Sequence, residues 1–172
     1  MPIELSDDLP AELVPLAWLV GTWAGAGVLG YPTMDGDIQV GQEIEFRHDG
    51  RPFLEHSCRT WELDGDGSRV RPLAGESGFW RVGPPEGDGR ALEVLLTHPT
   101  GVAEIYVGTV EGPRISLRTD VVARTATAEE HNAAGRMYGL VEGDLLWVME
   151  KAALGQPMTP HVSARLKRVP RT

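Results

Sequence analysis

Residues 38–47, IQVGQEIEFR, alternate: Ile38, Val40, Ile44 and Phe46 fall on one face, and Gln39, Glu43, Glu45 and Arg47 on the other. A period of two over that length predicts a half-buried antiparallel strand. The pattern recurs along the chain, and this recurrence most constrains the fold. His48-Asp49-Gly50 turns the chain, Phe53 to Leu63 reads as the partner strand, and Asp64-Gly65-Asp66-Gly67 turns it again. Further strand-like runs cover Leu73 to Val82, Ala91 to Thr97, Val102 to Val110, Ile115 to Val122, Arg136 to Val141, Leu145 to Ala152 and Val162 to Val169. Glycine- and proline-bearing connectors such as Gly83-Pro84-Pro85, Pro99-Thr100-Gly101 and Gly112-Pro113 separate them. Helical spacing is confined to Glu12–Val20 and, weakly, Ala126–Ala134. Parallel βαβ units need long crossovers, which are absent. The chain therefore reads as an all-β up-and-down barrel or sandwich, and a barrel removes sheet edges and can enclose a ligand.

Gly25-Ala26-Gly27-Val28-Leu29-Gly30 spells G-x-G-x-x-G, the dinucleotide fingerprint. That fingerprint requires a buried strand before it and a helix after it. Here the upstream segment has helical spacing, and Pro32 forces Tyr31 out of the α region and stops a helix from opening. The run reads instead as a first strand, with Gly21, Trp23, Gly25 and Gly27 on one face. Glycine at alternate positions bares a strand face, which serves either close approach of a neighbouring backbone or contact with a flat ligand. In the first case the short helix plugs one barrel end and Trp23 packs beneath it.

The 172 residues carry a formal charge of −9, which argues against nucleic acid as a partner, since phosphate binding needs a basic face. No apolar run is long enough to span a membrane as a helix. The first ten residues, acidic and without the apolar core of a signal peptide, read as a flexible segment preceding one domain over 1–172. A single cysteine, Cys58, rules out an internal disulfide framework and suits a reducing cytoplasm; it reads as a small buried thiol.

Gly21-Thr22-Trp23-Ala24-Gly25-Ala26-Gly27 matches G-x-W-x-G-x-G and is followed by Tyr31-Pro32-Thr33. Far downstream come Gly155-Gln156-Pro157-Met158-Thr159-Pro160-His161 and Ser163-Ala164-Arg165-Leu166. From Leu16 to Arg168 the chain resembles the nitrobindin family. The resemblance implies a closed antiparallel up-and-down β-barrel of about ten strands, lipocalin- or fatty-acid-binding-protein-like, with a short N-terminal helix. It implies one haem b per chain, with His161 as the axial iron ligand and Thr33 as a haem contact. It implies binding of nitric oxide and isomerisation of peroxynitrite to nitrate, with no catalytic residue beyond the haem iron. A homodimer is a candidate assembly. The alternative reading of the same barrel is a non-enzymatic carrier of a fatty acid or another small apolar ligand.

An imidazole suits a haem iron and leaves the opposite face open for a small molecule. Of the other histidines, His48 and His98 read as loop residues, His131 as solvated and His56 as a satisfied core histidine. Two features complicate the site. Val162, Ala164 and Leu166 form the apolar face of the last strand, so strict alternation puts His161 with Ser163 and Arg165 on the other. Either the barrel interior is partly polar there, or His161 belongs to the preceding loop. The family's T-x-T-A-x-E segment carries a lysine where this chain has Glu129, and a carboxylate would repel a haem propionate unless another base compensates.

Overall fold

The computed structural model describes residues 7–172. The turn signals divide the chain into ten antiparallel strands: β1 (Gly21–Leu29), β2 (Ile38–Arg47), β3 (Leu54–Leu63), β4 (Arg69–Glu86), β5 (Gly89–His98), β6 (Val102–Glu111), β7 (Arg114–Arg124), β8 (His131–Val141), β9 (Asp144–Ala153) and β10 (Thr159–Arg168). Each strand pairs with its sequence neighbour, and β10 returns to β1 to close the barrel. Gly87, Gly101, Gly112 and Gly143 take positive φ in the tight connectors, a conformation that costs glycine nothing.

The N-terminal segment Ala11–Leu19 is a 3₁₀ helix rather than an α-helix. Pro15 sits inside it and cannot donate to an i−4 carbonyl. Leu13, Leu16, Trp18 and Leu19 are buried, closing one end of the barrel as expected. The flexible segment expected over 1–10 falls partly outside the described residues; within them, Leu9 packs against the core and the Pro10 carbonyl accepts from the Leu13 N–H.

Several element boundaries differ from the sequence reading, and three of the differences shape the open end or its neighbours. The weak helix at Ala126–Ala134 does not form: a loop runs to Glu130 and β8 begins at His131. β4 continues through Pro84 and Pro85, where the register with β5 shifts between Val82 and Pro85. Prolines within a strand are tolerated at such a bulge, where a ladder bond is already lost. β5 extends one residue beyond Thr97, to His98.

The end opposite the 3₁₀ helix is open. The loops after β1, β3, β5, β7 and β9 gather there, and β7–β8 pairing stops at Arg118↔Gly135, short of that rim. Inside, Phe46, Trp80, Tyr138 and Trp147 pack edge-on or stacked with ring centroids 5.3–5.4 Å apart, so the interior is filled rather than hollow. A cavity remains at the open end.

Candidate functional site

His161 lines the cavity at the open end, and the reason reconciles the parity problem. Across β9 and β10, Pro160 faces Glu150 and Val162 faces Met149, so His161 is the extra residue of a β-bulge. A bulge re-aims one side chain without disturbing the alternation on either side. Val162 and His161 can thus both turn inward.

Local bonding fixes the imidazole. His161 Nδ1 lies 3.0 Å from the Gly30 carbonyl, and the Gly30 N–H donates to the His161 carbonyl at 2.9 Å. A carbonyl only accepts, so Nδ1 carries the hydrogen and Nε2 keeps its lone pair. Nε2 has no hydrogen bond among the described residues. Burial, then the nearby Lys151 charge, pull the His161 pKa down to about 4, so the ring is neutral at physiological pH. A neutral imidazole whose other nitrogen donates to a backbone carbonyl is the usual state of a metal-ligating histidine.

Of the Tyr31-Pro32-Thr33 run, the tyrosine supports the site. Tyr31 is buried and its ring meets His161 edge-on at 5.7 Å. Its hydroxyl donates to the Lys151 carbonyl (2.9 Å) and accepts from the Ala153 N–H (3.0 Å), tying the β1–β2 loop to the end of β9. Thr33 is exposed in that loop and does not line the cavity. The structure therefore does not bring Thr33 together with His161.

Below the mouth lies a buried charge network that the sequence reading missed. Arg136 on β8 makes a bidentate pair with Glu76 on β4, both bonds 2.7 Å. It also donates to the hydroxyls of Tyr106 (3.0 Å) and Tyr138 (3.2 Å). Glu104 on β6 accepts from Tyr106 (2.8 Å), bonds His131 (2.9 Å) and contacts His98 closely. Burial alone would raise both carboxyls. For Glu76 the Arg136 charge outweighs it and holds the group well below its ordinary value. For Glu104 the bonds from His131 and His98 do the same, bringing it to about 2.

His98 and His131 therefore correct the sequence expectation: neither is a solvated loop residue, and both line the cavity. His98 was legible in principle, because Leu92, Val94 and Leu96 face inward and His98 continues that face. His131 was not, because a bulge between His131 and Ala133 inverts the alternation of β8. His56 is a satisfied core histidine, accepting from Trp80 Nε1 (2.9 Å) and bonding Glu76 (3.1 Å). Cys58 is buried against the cavity, and burial pushes its thiol up, away from reactivity.

The glycine motif starts at the plugged end and runs along β1 toward the cavity. A Cβ at Gly25 would come 2.5 Å from the Arg165 carbonyl, and one at Gly27 would come 2.3 Å from the Ser163 carbonyl. The bared face is thus occupied by β10, as the closure reading requires. Trp23 is fully buried and donates to the Leu19 carbonyl at the end of the 3₁₀ helix (2.9 Å). Arg168 stacks over Trp23 at 4.1 Å and donates to the carbonyls of Val20 and Trp18. Gly21 leaves room for that guanidinium, since a Cβ there would lie 2.6 Å from Arg168 Nη1.

A haem requires an axial donor, an apolar slot and a place for two carboxylates. The cavity offers the free Nε2 of His161, the apolar side chains of Leu29, Val102, Met149, Leu154 and Val162, and the cation of Lys151. The residues present fit the group. The model of the "THAP4-like, heme-binding beta-barrel domain" family matches residues 12–168. A ferric nitrobindin-like protein of Kineococcus radiotolerans is 55% identical, over 98% of this chain and 99% of that protein. A peroxynitrite isomerase of Frankia casuarinae is 54% identical, over 94% of this chain and 88% of that protein. Among solved structures, the crystal structure of Rv2717c from M. tuberculosis superposes with a TM-score of 0.82 at 36% identity, covering 94% of this chain and 99% of that one. A match over this span, on a barrel with this mouth, means that the chain belongs to the nitrobindin family of THAP4-like, haem-binding β-barrels.

Proposed function

We propose that this chain binds one haem b at the open end of the barrel, with His161 Nε2 as the axial ligand, binds nitric oxide there, and isomerises peroxynitrite to nitrate. The observation that carries the reading is the His161 imidazole: neutral, oriented by Gly30, and with its second nitrogen unpartnered among the described residues at the cavity. The names of the Frankia casuarinae and Nocardioides sp. relatives, both peroxynitrite isomerases, support the activity.

Peroxynitrite and nitrate contain the same atoms and carry the same charge, so the overall reaction consumes neither proton nor reductant. The haem, when bound, supplies the metal chemistry of the rearrangement. This chain's residues bind, orient and exclude water. Gly30 holds the ring of His161, Tyr31 packs its edge, and the bulge at His161 sets its direction. The Arg136–Glu76–Glu104 network and the stacked Tyr138 and Trp147 close the cavity floor against solvent from the barrel interior.

The carrier alternative has less support. Arg136, the buried cation an acyl carboxylate would seek deep in the barrel, is already neutralised by Glu76, and aromatic rings fill the path an acyl chain would take.

Titration of the purified protein with haemin, followed by absorbance, tests the binding. A stoichiometric Soret band that shifts with nitric oxide is expected, and His161→Ala should abolish it. A spectrum unchanged by that substitution would reject the ligand assignment. Stopped-flow decay of peroxynitrite with nitrate as the product tests the turnover, and decay no faster than with free haemin would reject it.

A further inference from the structure

We propose that Lys151 is the anchor for a ligand carboxylate at the cavity mouth, holding a haem propionate by charge-assisted hydrogen bonding. This rests on the haem reading above and adds to it the residue that fixes the ligand's polar edge.

The placement comes from β9. Leu145, Trp147, Met149 and Ala153 are buried on its inward face, and Lys151 occupies the same face between the last two. A lysine on an inward face ordinarily has a counter-ion, because an uncompensated buried charge is costly. Among the described residues the Lys151 ammonium makes no hydrogen bond and no ion pair; the Glu129 and Glu104 charges act on it only from beyond contact distance. Its one contact of note is the Tyr31 ring, with Nζ 4.8 Å from the centroid. Burial lowers its pKa, as expected of a cation missing its partner.

The cavity lining contains one other strong cation, Arg136, and that guanidinium is bound on both sides to Glu76. Among the described residues lining the mouth, an anionic ligand edge therefore has Lys151 as the one cation free to meet it. Lys151 pairs across the ladder with Thr159, two residues before His161. The two side chains line the same cavity, one offering a metal ligand and the other a positive charge. Haem carries both complementary features, an iron and two carboxylates. Glu129, exposed on the β7–β8 loop, lines the same mouth and opposes the interaction by like charge.

The test is equilibrium titration with haemin and with haemin dimethyl ester, which keeps the iron and masks both carboxylates. Lys151→Met should bind haemin about tenfold more weakly than the parent chain, the scale of one lost charge-assisted bond. It should bind the dimethyl ester as the parent does. Lys151→Arg should restore haemin affinity, and Glu129→Gln should tighten it. Added salt should narrow the difference between the parent and Lys151→Met. Equal losses for haemin and its ester, or no loss for either, would overturn the role of Lys151 while leaving His161 ligation standing. No stoichiometric haemin binding by the parent chain would overturn the haem reading and the anchor together. Melting curves of the variants without haemin show whether the barrel itself is intact.

Discussion

Replacing Gly27 by alanine tests whether the glycine motif serves barrel closure or the ligand. The added Cβ would sit 2.3 Å from the Ser163 carbonyl oxygen, 2.7 Å from Ala164 Cβ and 2.9 Å from Ala164 Cα. Ordinary van der Waals contact for such atoms begins near 3.4 Å, so β10 has to retreat by roughly 1 Å. Gly27 faces Ala164 directly in the β1–β10 ladder, the seam that closes the barrel. A 1 Å retreat stretches the neighbouring ladder bonds beyond useful length. Overpacking of this kind costs about 1–3 kcal/mol, and a weakened ladder bond about 1 more. The sum, about 2–4 kcal/mol, should lower the melting temperature of a chain this size by roughly 4–16 °C. The assay is thermal melting by circular dichroism without haemin, beside Gly36→Ala as control. Nothing lies within 4 Å of a Cβ at Gly36 in the exposed β1–β2 loop, so that change should fall within about 0.5 kcal/mol of the parent. A Gly27→Ala protein that melts with the parent but fails to bind haemin would refute the closure argument and return the glycines to the ligand.

His161 predicts the acid limb of stability. Its pKa of about 4 in the fold lies below the ordinary 6.5, chiefly through burial, so between these values the unfolded chain binds more protons. Stability is then complete above about pH 6.5 and falls as pH drops toward 4, by roughly 3 kcal/mol for this group; urea midpoints at pH 7 and 4.5 should differ less in His161→Gln than in the parent. Glu76→Gln leaves Arg136 buried without its main counter-ion and should cost about 3–5 kcal/mol in urea denaturation; a loss below 1 kcal/mol would show that Glu104, 3.9 Å away, suffices. Arg168→Met removes the bonds to the Val20 and Trp18 carbonyls and the stacking on Trp23. It should cost about 1–3 kcal/mol yet leave haemin affinity unchanged, since it acts at the closed end.

The strands and their order were legible because their signals are local, while the choice of barrel over sandwich came with the family resemblance. Alternation in IQVGQEIEFR and its successors, with glycine turns between, specifies strands that pair with their sequence neighbours, and in an up-and-down barrel those neighbours account for every pairing but one. The single non-local pairing, β1 with β10, left its trace as well: Gly25 and Gly27 are bare where β10 approaches. Of the site, His161 entered through the family resemblance, while the alternation of its own strand pointed the other way. Tyr31 was overlooked in favour of Thr33, because nothing in three consecutive letters says which one packs.

The sequence by itself determined the strand count, the antiparallel order and the plugged end. Tertiary structure alone decided which polar residues meet. A bulge moves a side chain from one face of a strand to the other, and nothing in the local pattern announces it; His161 and His131 both enter the cavity this way. The pairing of Arg136 with Glu76, across 60 residues, and the lack of an ion-pair partner for Lys151 among the described residues depend on where ten strands come to lie around a common interior. Alternation specifies the face of a residue within its strand, and only closure of the barrel specifies its neighbours.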